Sequence, residues 1–447
     1  MKPPLSALRR CFEGAVPAVI ATCDENAMPN VAYLSQVHYI DEEHVALSFQ
    51  FFNTTRRNIL ANPTATILLV DPVTAEQYKL YISYLRTVSE GPLFESMKAR
   101  LAGIASHSGM SDVFRLKGSD IYRVQRIEPL PGVIPPLPAL PAPNLLPVLR
   151  RSITRLAASR DLSSLFEETL ASLAEEFSMR HAMLLMLDAA GEKLYTVASR
   201  GYPHSGVGSE IGLGEGIIGV AAREGVPIRI GHCATEYLYS RAVRESYLRS
   251  HASTAIEMSI PLPGLAKSGS QMAVPILDGP RSIGVLYAES PQEMRFTWDD
   301  EDALVALSGY LALAITTLQR SSDVIEPAAS STISTEGDGE PVDVCFYRAD
   351  QSVFINNDYL IKGVAGAILW KLVCDHSALG RDEFTNRELR HDASLRLPDV
   401  VDNLEARLIL LQRRLAERCN ALAIEKTGRG RFRLRVTGEL HLRDASG

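Results

Sequence analysis

Two stretches of this chain have compositions that predict no packed secondary structure, and they divide the other residues into three predicted folding units. Residues 129–147, PLPGVIPPLPALPAPNLLP, contain eight prolines. Each proline fixes its φ angle and removes a backbone donor, so this stretch predicts a semi-rigid extended spacer. Residues 321–343 carry six acidic residues and no lysine or arginine, with too little apolar surface to order the segment. The predicted units are residues 1–130, 148–320 and 344–447, with linkers at 131–147 and 321–343.

The composition indicates a soluble globular protein, because 46% of its 447 residues are hydrophobic and 22% are charged. No apolar run reaches the roughly 18 residues that a membrane span needs. The N-terminus lacks the pattern of a cleaved signal, so we expect a cytoplasmic protein without membrane association. The six cysteines are scattered without a CxxC pair, which predicts buried reduced thiols and neither a disulfide framework nor a zinc site.

Short apolar and β-branched runs make the first unit β-rich, with two helices predicted among the strands, at 54–62 and 92–106. The first helix lies in FNTTRRNILANP, and its first turn holds two hydroxyl and two basic side chains: Thr54, Thr55, Arg56 and Arg57. Basic residues are unfavourable there, since the N-terminus of a helix already carries partial positive charge. An anion would resolve this conflict, because backbone N–H groups, hydroxyls and guanidinium groups together suit a phosphate.

At these residues the unit resembles the split barrels of the pyridoxamine-phosphate-oxidase-like family. The resemblance covers residues 1–130 and rests on PAVIATCDENAMPNVAYLS, on SFQFFNTTRRNILANPTATILLVD and on DIYRVQRIEP. It implies FMN at a dimer interface. The implied cofactor-binding residues are Ser48, Thr54, Thr55, Arg56 and Arg57. The C-terminal substrate segment of the family's B6 oxidases is missing here, which speaks against B6 oxidation. FMN, heme and an empty barrel all remain open.

The second unit resembles a GAF domain, which is an α/β/α sandwich. The resemblance rests on the strand pair HAMLLMLD and LYTVASRG, on IGLGEGIIGVAAREGVPIRI and on VPILDGPRSIGVLYAES. Gly214, Gly216 and Gly219 spell GxGxxG, but they follow no strand of a βαβ unit, so they do not predict a dinucleotide site. The resemblance implies either a small-molecule effector, whose identity is unknown, or simple dimerisation.

The first and last helices of the second unit have apolar stripes wider than one sheet face needs. Two interpretations are open, a parallel helical dimer seam and core packing within one chain. The stripe residues are Leu149, Ile153, Leu156, Leu304, Leu307 and Leu311. Split barrels of this type and GAF helices both favour two-fold pairing, so a homodimer is expected.

The sequence of the third unit predicts short strands, three helices and a final hairpin. In IEKTGRGRFRLRV, residues 424–436, apolar residues alternate with arginines, so the hairpin has an apolar side and a basic side. Residues 402–435 hold nine lysines and arginines against four acidic residues, in a chain with a net charge of -7. A basic patch on an acidic body suits contact with phosphates.

This order of elements resembles the winged-helix DNA-binding domain of response-regulator transcription factors. The resemblance covers residues 344–447 and implies double-stranded DNA as a partner. The third helix would enter the major groove, and the hairpin, or wing, would touch the flanking backbone. The implied DNA-binding residues are Asn403, Arg407 and Arg414 on the helix and Arg429, Arg431 and Arg433 on the wing. A winged helix used only for protein contact is the alternative.

The sequence therefore predicts a multidomain α+β chain with a split β-barrel, a GAF sandwich and a C-terminal winged helix. The predicted function is a one-component transcriptional regulator that senses a small molecule or redox state and binds DNA. The alternatives are an FMN-dependent oxidoreductase with accessory modules and a non-catalytic signalling scaffold. No general base, nucleophile or metal cluster stands out, so no catalytic or metal-binding residue is predicted.

Overall fold

The computed structural model is a multidomain α+β chain with three sheet-bearing units. It describes residues 3–13, 16–34, 36–49, 53–107, 116–131, 144–188, 191–231, 260–322, 339–392, 395 and 404–445.

The N-terminal unit is a curled half-barrel formed by one antiparallel sheet. A 3₁₀ helix, Leu5–Phe12, precedes the strands β1 (Ala18–Cys23), β2 (Pro29–Leu34), β3 (Val37–Tyr39), β4 (His44–Phe49), β5 (Thr64–Val70), β6 (Gln77–Val88) and β7 (Gly118–Pro129). The strand order is β2-β1-β5-β6-β7-β4-β3. Alternate side chains point inward, as Ile20 and Ile67 do, and form a separate core. The helices are α1 (Asn53–Ala61) and α2 (Pro92–His107), where the sequence predicts them.

The second unit is a six-stranded sheet with helices packed on it. Its elements are α3 (Leu145–Ala157), α4 (Leu162–Glu175), β8 (His181–Leu187), β9 (Lys193–Arg200), β10 (Glu210–Gly212), α5 (Gly216–Glu224), β11 (Ile228–Ile230), β12 (Ser270–Asp278), β13 (Arg281–Ser290) and α6 (Trp298–Ser322). The strand order is β10-β9-β8-β13-β12-β11. A Cβ atom at Gly219 would lie 2.2 Å from the carbonyl oxygen of Gly212. Close packing of α5 on the preceding turn therefore requires this glycine.

The burial of the stripe residues decides between the two interpretations of the apolar stripes on α3 and α6. The segment Trp298–Arg320 of α6 is long and apolar enough, by length and composition alone, to cross a membrane. In the structure this helix lies in the core of the second unit, where Leu304, Leu307 and Leu311 are fully buried. Leu156 on α3 is buried in the same core, and the partly buried Leu149 and Ile153 pack against it. The stripe is therefore core packing within one chain and does not form an exposed dimer seam.

The C-terminal unit contains two small sheets around three helices. Its elements are β14 (Gly339–Tyr347), β15 (Ser352–Ile355), β16 (Asp358–Ile361), α7 (Gly363–Leu379), β17 (Glu383–Thr385), α8 (Asn386–His391), α9 (Leu404–Arg418), β18 (Leu422–Gly428), β19 (Arg431–Val436) and β20 (Gly438–Ala445). The sheets are β16-β15-β14-β20 and β17-β19-β18. Strand β14 begins at Gly339, inside the linker predicted at 321–343. The sequence analysis also missed β20, which pairs in parallel with β14.

Candidate functional site

The first candidate site is an open groove that runs along α1 beside Phe49, the last residue of β4. The groove has a volume of about 500 Å³ and is lined by Phe49, Arg56, Arg57, Leu60 and Ala61. Thr54 and Arg57 are exposed beside it, and Arg57 Nη2 lies 3.5 Å from Thr54 Oγ1. Arg57 lines the groove, and through it the groove adjoins the Thr54 hydroxyl and the free N–H groups in the first turn of α1.

Arg56 is held inside the N-terminal unit by a buried carboxylate. Its Nη1 atom donates to both carboxylate oxygens of Asp120 at 2.6 Å, and its Nη2 atom donates to Thr87 Oγ1 at 2.8 Å. The guanidinium also lies over the rings of Phe49 and Tyr84, at 4.8 and 5.4 Å from their centroids. Arg56 thus links α1 to β6 and β7, and a phosphate would compete with Asp120 for it.

Ser48 and Thr55 lie behind the groove. Both are buried and line a small internal cavity that Asp120 also borders. Thr55 Oγ1 accepts a hydrogen bond from Asn30 Nδ2 at 2.9 Å. Ser48 Oγ has no hydrogen-bond partner among the described residues. The five residues predicted to bind a cofactor therefore lie near one another, but only Thr54 and Arg57 are exposed at the groove.

The groove fits a flavin phosphate in its chemistry. Thr54, Arg57 and the backbone N–H groups at the start of α1 would hold the phosphate. Phe49 and Leu60 offer apolar surface beside it. Asp120, Thr87 and Asn30, which hold the neighbouring side chains, were not found from the sequence, because each is far along the chain from its partner.

Several apolar side chains of the N-terminal unit are exposed. Met28, Val31, Tyr33 and Leu60 are 65%, 66%, 73% and 63% exposed. Val31 and Tyr33 belong to β2, an edge strand of the sheet, and they lie on the face of β2 opposite to Asn30, whose side chain contacts α1. Exposed apolar side chains on an edge strand suit an interaction surface.

The second candidate site is the basic hairpin β18–β19. Phe432 and Leu434 are buried, as the alternation predicts. Arg433 Nη2 donates to Glu383 Oε1 at 2.8 Å, so an acidic residue of β17 partly neutralises this arginine. Arg429 is exposed and Arg431 is half-buried. Within the described residues, Arg429 and Arg431 are the wing arginines without an ion pair.

The arginines predicted to read bases lie on a covered face of α9. Arg407 and Arg414 are only 9% and 4% exposed. The guanidinium of Arg407 lies 5.4 Å from the ring centroid of Tyr195 on β9, and Arg414 Nε donates to the carbonyl oxygen of Leu360 at 3.1 Å. Asn403 lies outside the described residues. In this arrangement α9 packs against β9 and α4 of the second unit, so this face does not meet solvent.

A buried ion cluster, which the sequence analysis missed, joins the N-terminal unit to the second unit. Arg229 on β11 has a fully buried side chain and pairs with Glu13 and, through Nε at 2.9 Å, with Glu301. Arg100 on α2 donates to the other carboxylate oxygen of Glu301 at 2.9 Å. Burial raises the pKa of Glu13 above its ordinary value, although the Arg229 guanidinium acts in the opposite direction.

Trp298 completes this ion cluster. Its indole N–H donates to the carbonyl oxygen of Arg9 at 3.1 Å. Three guanidinium groups lie over its ring, at 4.9, 4.7 and 4.6 Å from the centroid, and they belong to Arg9, Arg100 and Arg229. Cation–π contacts of this kind strengthen where water is excluded. The ring therefore stabilises the contact between the first two units.

Comparison with known families confirms the first two resemblances. The family profile described as pyridoxamine 5'-phosphate oxidase matches residues 5–125, and that of the GAF domain matches residues 159–316. The chain therefore contains a pyridoxamine-phosphate-oxidase-like domain followed by a GAF domain. Neither match extends into the C-terminal unit. A search of curated proteins gave no significant match.

Solved structures with similar parts belong to both domain types. An FMN-binding protein from Syntrophomonas wolfei is 16% identical, and the match covers 29% of this chain and 90% of that one at a TM-score of 0.25. The GAF domain of an Acinetobacter phosphoenolpyruvate-protein phosphotransferase is 21% identical, with 40% and 97% covered at a TM-score of 0.31. Group A Streptococcus HupZ is 24% identical, with 27% and 95% covered at a TM-score of 0.22.

Proposed function

We propose that this chain is a cytoplasmic one-component transcriptional regulator. Its flavin-type half-barrel and its GAF domain sense a small molecule or redox state, and its C-terminal unit binds double-stranded DNA as a winged helix. One observation carries the DNA assignment, the architecture of the C-terminal unit. Helices α7, α8 and α9 precede the hairpin β18–β19, and the short strand β17 pairs with β19. Basic residues are concentrated in the same segment.

The DNA assignment predicts an electrostatic role for the wing. Replacing both Arg429 and Arg431 with alanine should weaken binding of the full chain to a mixed-sequence DNA duplex at low salt. The slope of log affinity against log salt should fall by about one for each lost phosphate contact. Fluorescence anisotropy titrations at several salt concentrations measure this slope. Arg433→Ala should change the slope less, because Glu383 already neutralises that side chain.

A control variant outside the hairpin tests whether the salt slope reports on the wing. Arg281→Ala removes one exposed arginine on the turn between β12 and β13, away from the wing. This control should leave the slope unchanged. An identical slope in the wild type and the Arg429→Ala, Arg431→Ala pair would contradict the wing assignment. No DNA binding by any form of the protein would favour the signalling scaffold.

The flavin part of the proposal places FMN at the groove beside α1, with Thr54 and Arg57 at its phosphate. When bound, FMN supplies reversible one- and two-electron redox chemistry. Thr54 and Arg57 would hold the phosphate, and Phe49 would offer apolar surface to the flavin. This supports redox sensing. It also favours the second candidate function, an FMN-dependent oxidoreductase, which steady flavin-dependent turnover of a reduced nicotinamide by the purified protein would reveal.

The exposed apolar side chains of the edge strand β2 favour a homodimer, because pairing would cover Val31 and Tyr33. Changing Val31 and Tyr33 to aspartate and lysine should convert a dimer to a monomer at micromolar concentration. Light scattering measures the molar mass directly. A wild-type particle of 49.0 kDa, the mass of one chain, would refute the dimer.

A further inference from the structure

Helix α9 is attached to the GAF domain through a backbone irregularity in β9. Leu184 pairs with Ala198 and Leu185 with Thr196, so Val197 is the extra residue of a β-bulge. A bulge leaves its extra residue outside the regular ladder. The Val197 carbonyl oxygen accepts a hydrogen bond from Arg413 Nη1 on α9 at 2.6 Å. The contact is therefore a specific polar interaction built at a feature of the GAF sheet.

Three further polar contacts lie around this one. Arg413 Nη2 donates to Glu167 on α4 at 3.1 Å. Lys426 in the wing hairpin pairs with Asp161 at 3.0 Å, and Asp161 is also the N-cap of α4. The Ser205 hydroxyl donates to Glu417 on α9 at 2.5 Å. The helix and the hairpin, the two elements predicted to touch DNA, are therefore both held by the GAF domain.

Apolar packing continues across the same boundary. The buried cores of the GAF domain and of the C-terminal unit form one cluster, which includes Phe166 on one side and Leu408 on the other. Arg407 lies over the ring of Tyr195 within this boundary. Apolar burial and several polar contacts thus hold α9 against the GAF domain.

We propose that the GAF domain autoinhibits the C-terminal unit by covering α9. This inference rests on the proposed DNA-binding function. The major groove is about 12 Å wide, and an α-helix with its side chains is about 10–12 Å across. A recognition helix therefore fills the groove and leaves no space for a second domain on its base-facing side. Contact of this face with β9 and contact with DNA exclude each other, so DNA binding requires α9 to leave the GAF domain.

The test weakens the contact only from the GAF side, so that the DNA-binding surface stays intact. The release variant combines Asp161→Asn, Glu167→Arg and Ser205→Ala. Asparagine caps a helix about as well as aspartate, so α4 keeps its N-cap while Lys426 loses its partner. Three changes are combined because exposed ion pairs contribute little singly. The control variant, Glu25→Gln with Asp278→Arg, changes the net charge equally at exposed positions away from α9.

Two measurements are made on each full-length protein. Small-angle X-ray scattering reports whether the C-terminal unit separates from the GAF domain. Fluorescence anisotropy with a labelled mixed-sequence DNA duplex reports affinity. The release variant should show a larger radius of gyration and bind DNA about tenfold more tightly, within the range of ordinary allosteric coupling. The control should match the wild type in both measurements.

The outcomes separate this inference from the function on which it rests. Equal and measurable DNA affinity of the wild type and the release variant would overturn autoinhibition and leave DNA binding in place. No DNA binding by an opened release variant would overturn the DNA-binding function itself, and autoinhibition with it. An unchanged radius together with unchanged affinity would also overturn the proposal, because these contacts would then not hold α9.

Discussion

Replacing Arg229 with methionine should weaken the contact between the N-terminal unit and the GAF domain by about 3 kcal/mol. The Arg229 side chain is fully buried between Glu13 and Glu301, whose side chains are 6% and 7% exposed. Methionine keeps much of the volume but leaves Glu13 without its cation. Arg100 still pairs with Glu301, so the loss falls mainly on Glu13. Removing one partner of a buried pair costs more than the pair contributes, because a buried charge stays uncompensated.

The stability that Arg229→Met loses should depend on pH. Burial already raises the folded-state pKa of Glu13 above its unfolded value. A carboxyl with a raised pKa stabilises the folded state below its unfolded pKa, and this contribution is lost as the pH rises through the folded pKa. Without Arg229 the charged form of Glu13 becomes less favourable still, and its pKa rises further. The variant should therefore lose more stability at neutral pH than at mildly acidic pH.

Trp298 provides the readout for this experiment, since its ring lies against Arg229 and contacts the N-terminal unit through Arg9. In a Trp370→Phe background, which leaves Trp298 as the single tryptophan, urea titrations followed by fluorescence should show a lower midpoint for Arg229→Met, with the smaller shift at acidic pH. Arg281→Met removes an exposed arginine and should change the free energy of unfolding by less than about 0.5 kcal/mol. A shift for Arg229→Met that is the same at both pH values would contradict the role given to Glu13.

The parts of the fold that the sequence could predict are those with local signals. The helix at 54–62 lies within the single stretch FNTTRRNILANP, and the GxGxxG turn shows its glycines directly. The partners that define the sites lie far away along the chain. Arg56 and Asp120 are separated by 64 residues, and Arg413 and Val197 by 216. Nothing in the local pattern of either residue of these pairs identifies the other, so only the folded structure brings them together.

Helix α9 shows why a correct element can still lead to an incomplete prediction of a site. The spacing of its apolar residues predicts a helix with one buried stripe, and the structure has that helix. The same spacing places Arg407 and Arg414 on a second face. Tyr195 on β9 of the GAF domain lies against Arg407, and Leu360 on β16 of the C-terminal unit itself accepts a hydrogen bond from Arg414. Packing between elements adds buried sides that periodicity within one helix cannot reveal. Under the proposed autoinhibition, Arg407 would reach DNA only in an opened state.

The two adjacent arginines of α1 should respond differently to the same substitution. Arg56→Ala should lower the stability of the N-terminal unit by about 3 kcal/mol, because it leaves Asp120 buried without its cation. Arg57→Ala should change stability by less than about 0.5 kcal/mol, since this side chain is exposed. Urea denaturation followed by circular dichroism measures both changes. The double change Arg56→Ala, Asp120→Ala should recover part of the stability lost by Arg56→Ala alone, because no charge then stays buried.

Among variants that stay folded, the change at Arg57 should lower FMN affinity more than the change at Arg56 does. Arg57→Ala would remove the proposed charge-assisted contact to the FMN phosphate and should weaken FMN binding about tenfold, whereas riboflavin, which has no phosphate, should bind with unchanged affinity. Equilibrium dialysis against each flavin measures the two affinities. Arg123→Ala, an exposed arginine on β7 paired only with Glu43 among the described residues, is the matched control and should alter neither affinity. Equal FMN affinity in the wild type and Arg57→Ala would remove Arg57 from the phosphate site. Equal losses for FMN and riboflavin would instead show that Arg57 supports the groove and does not contact the phosphate.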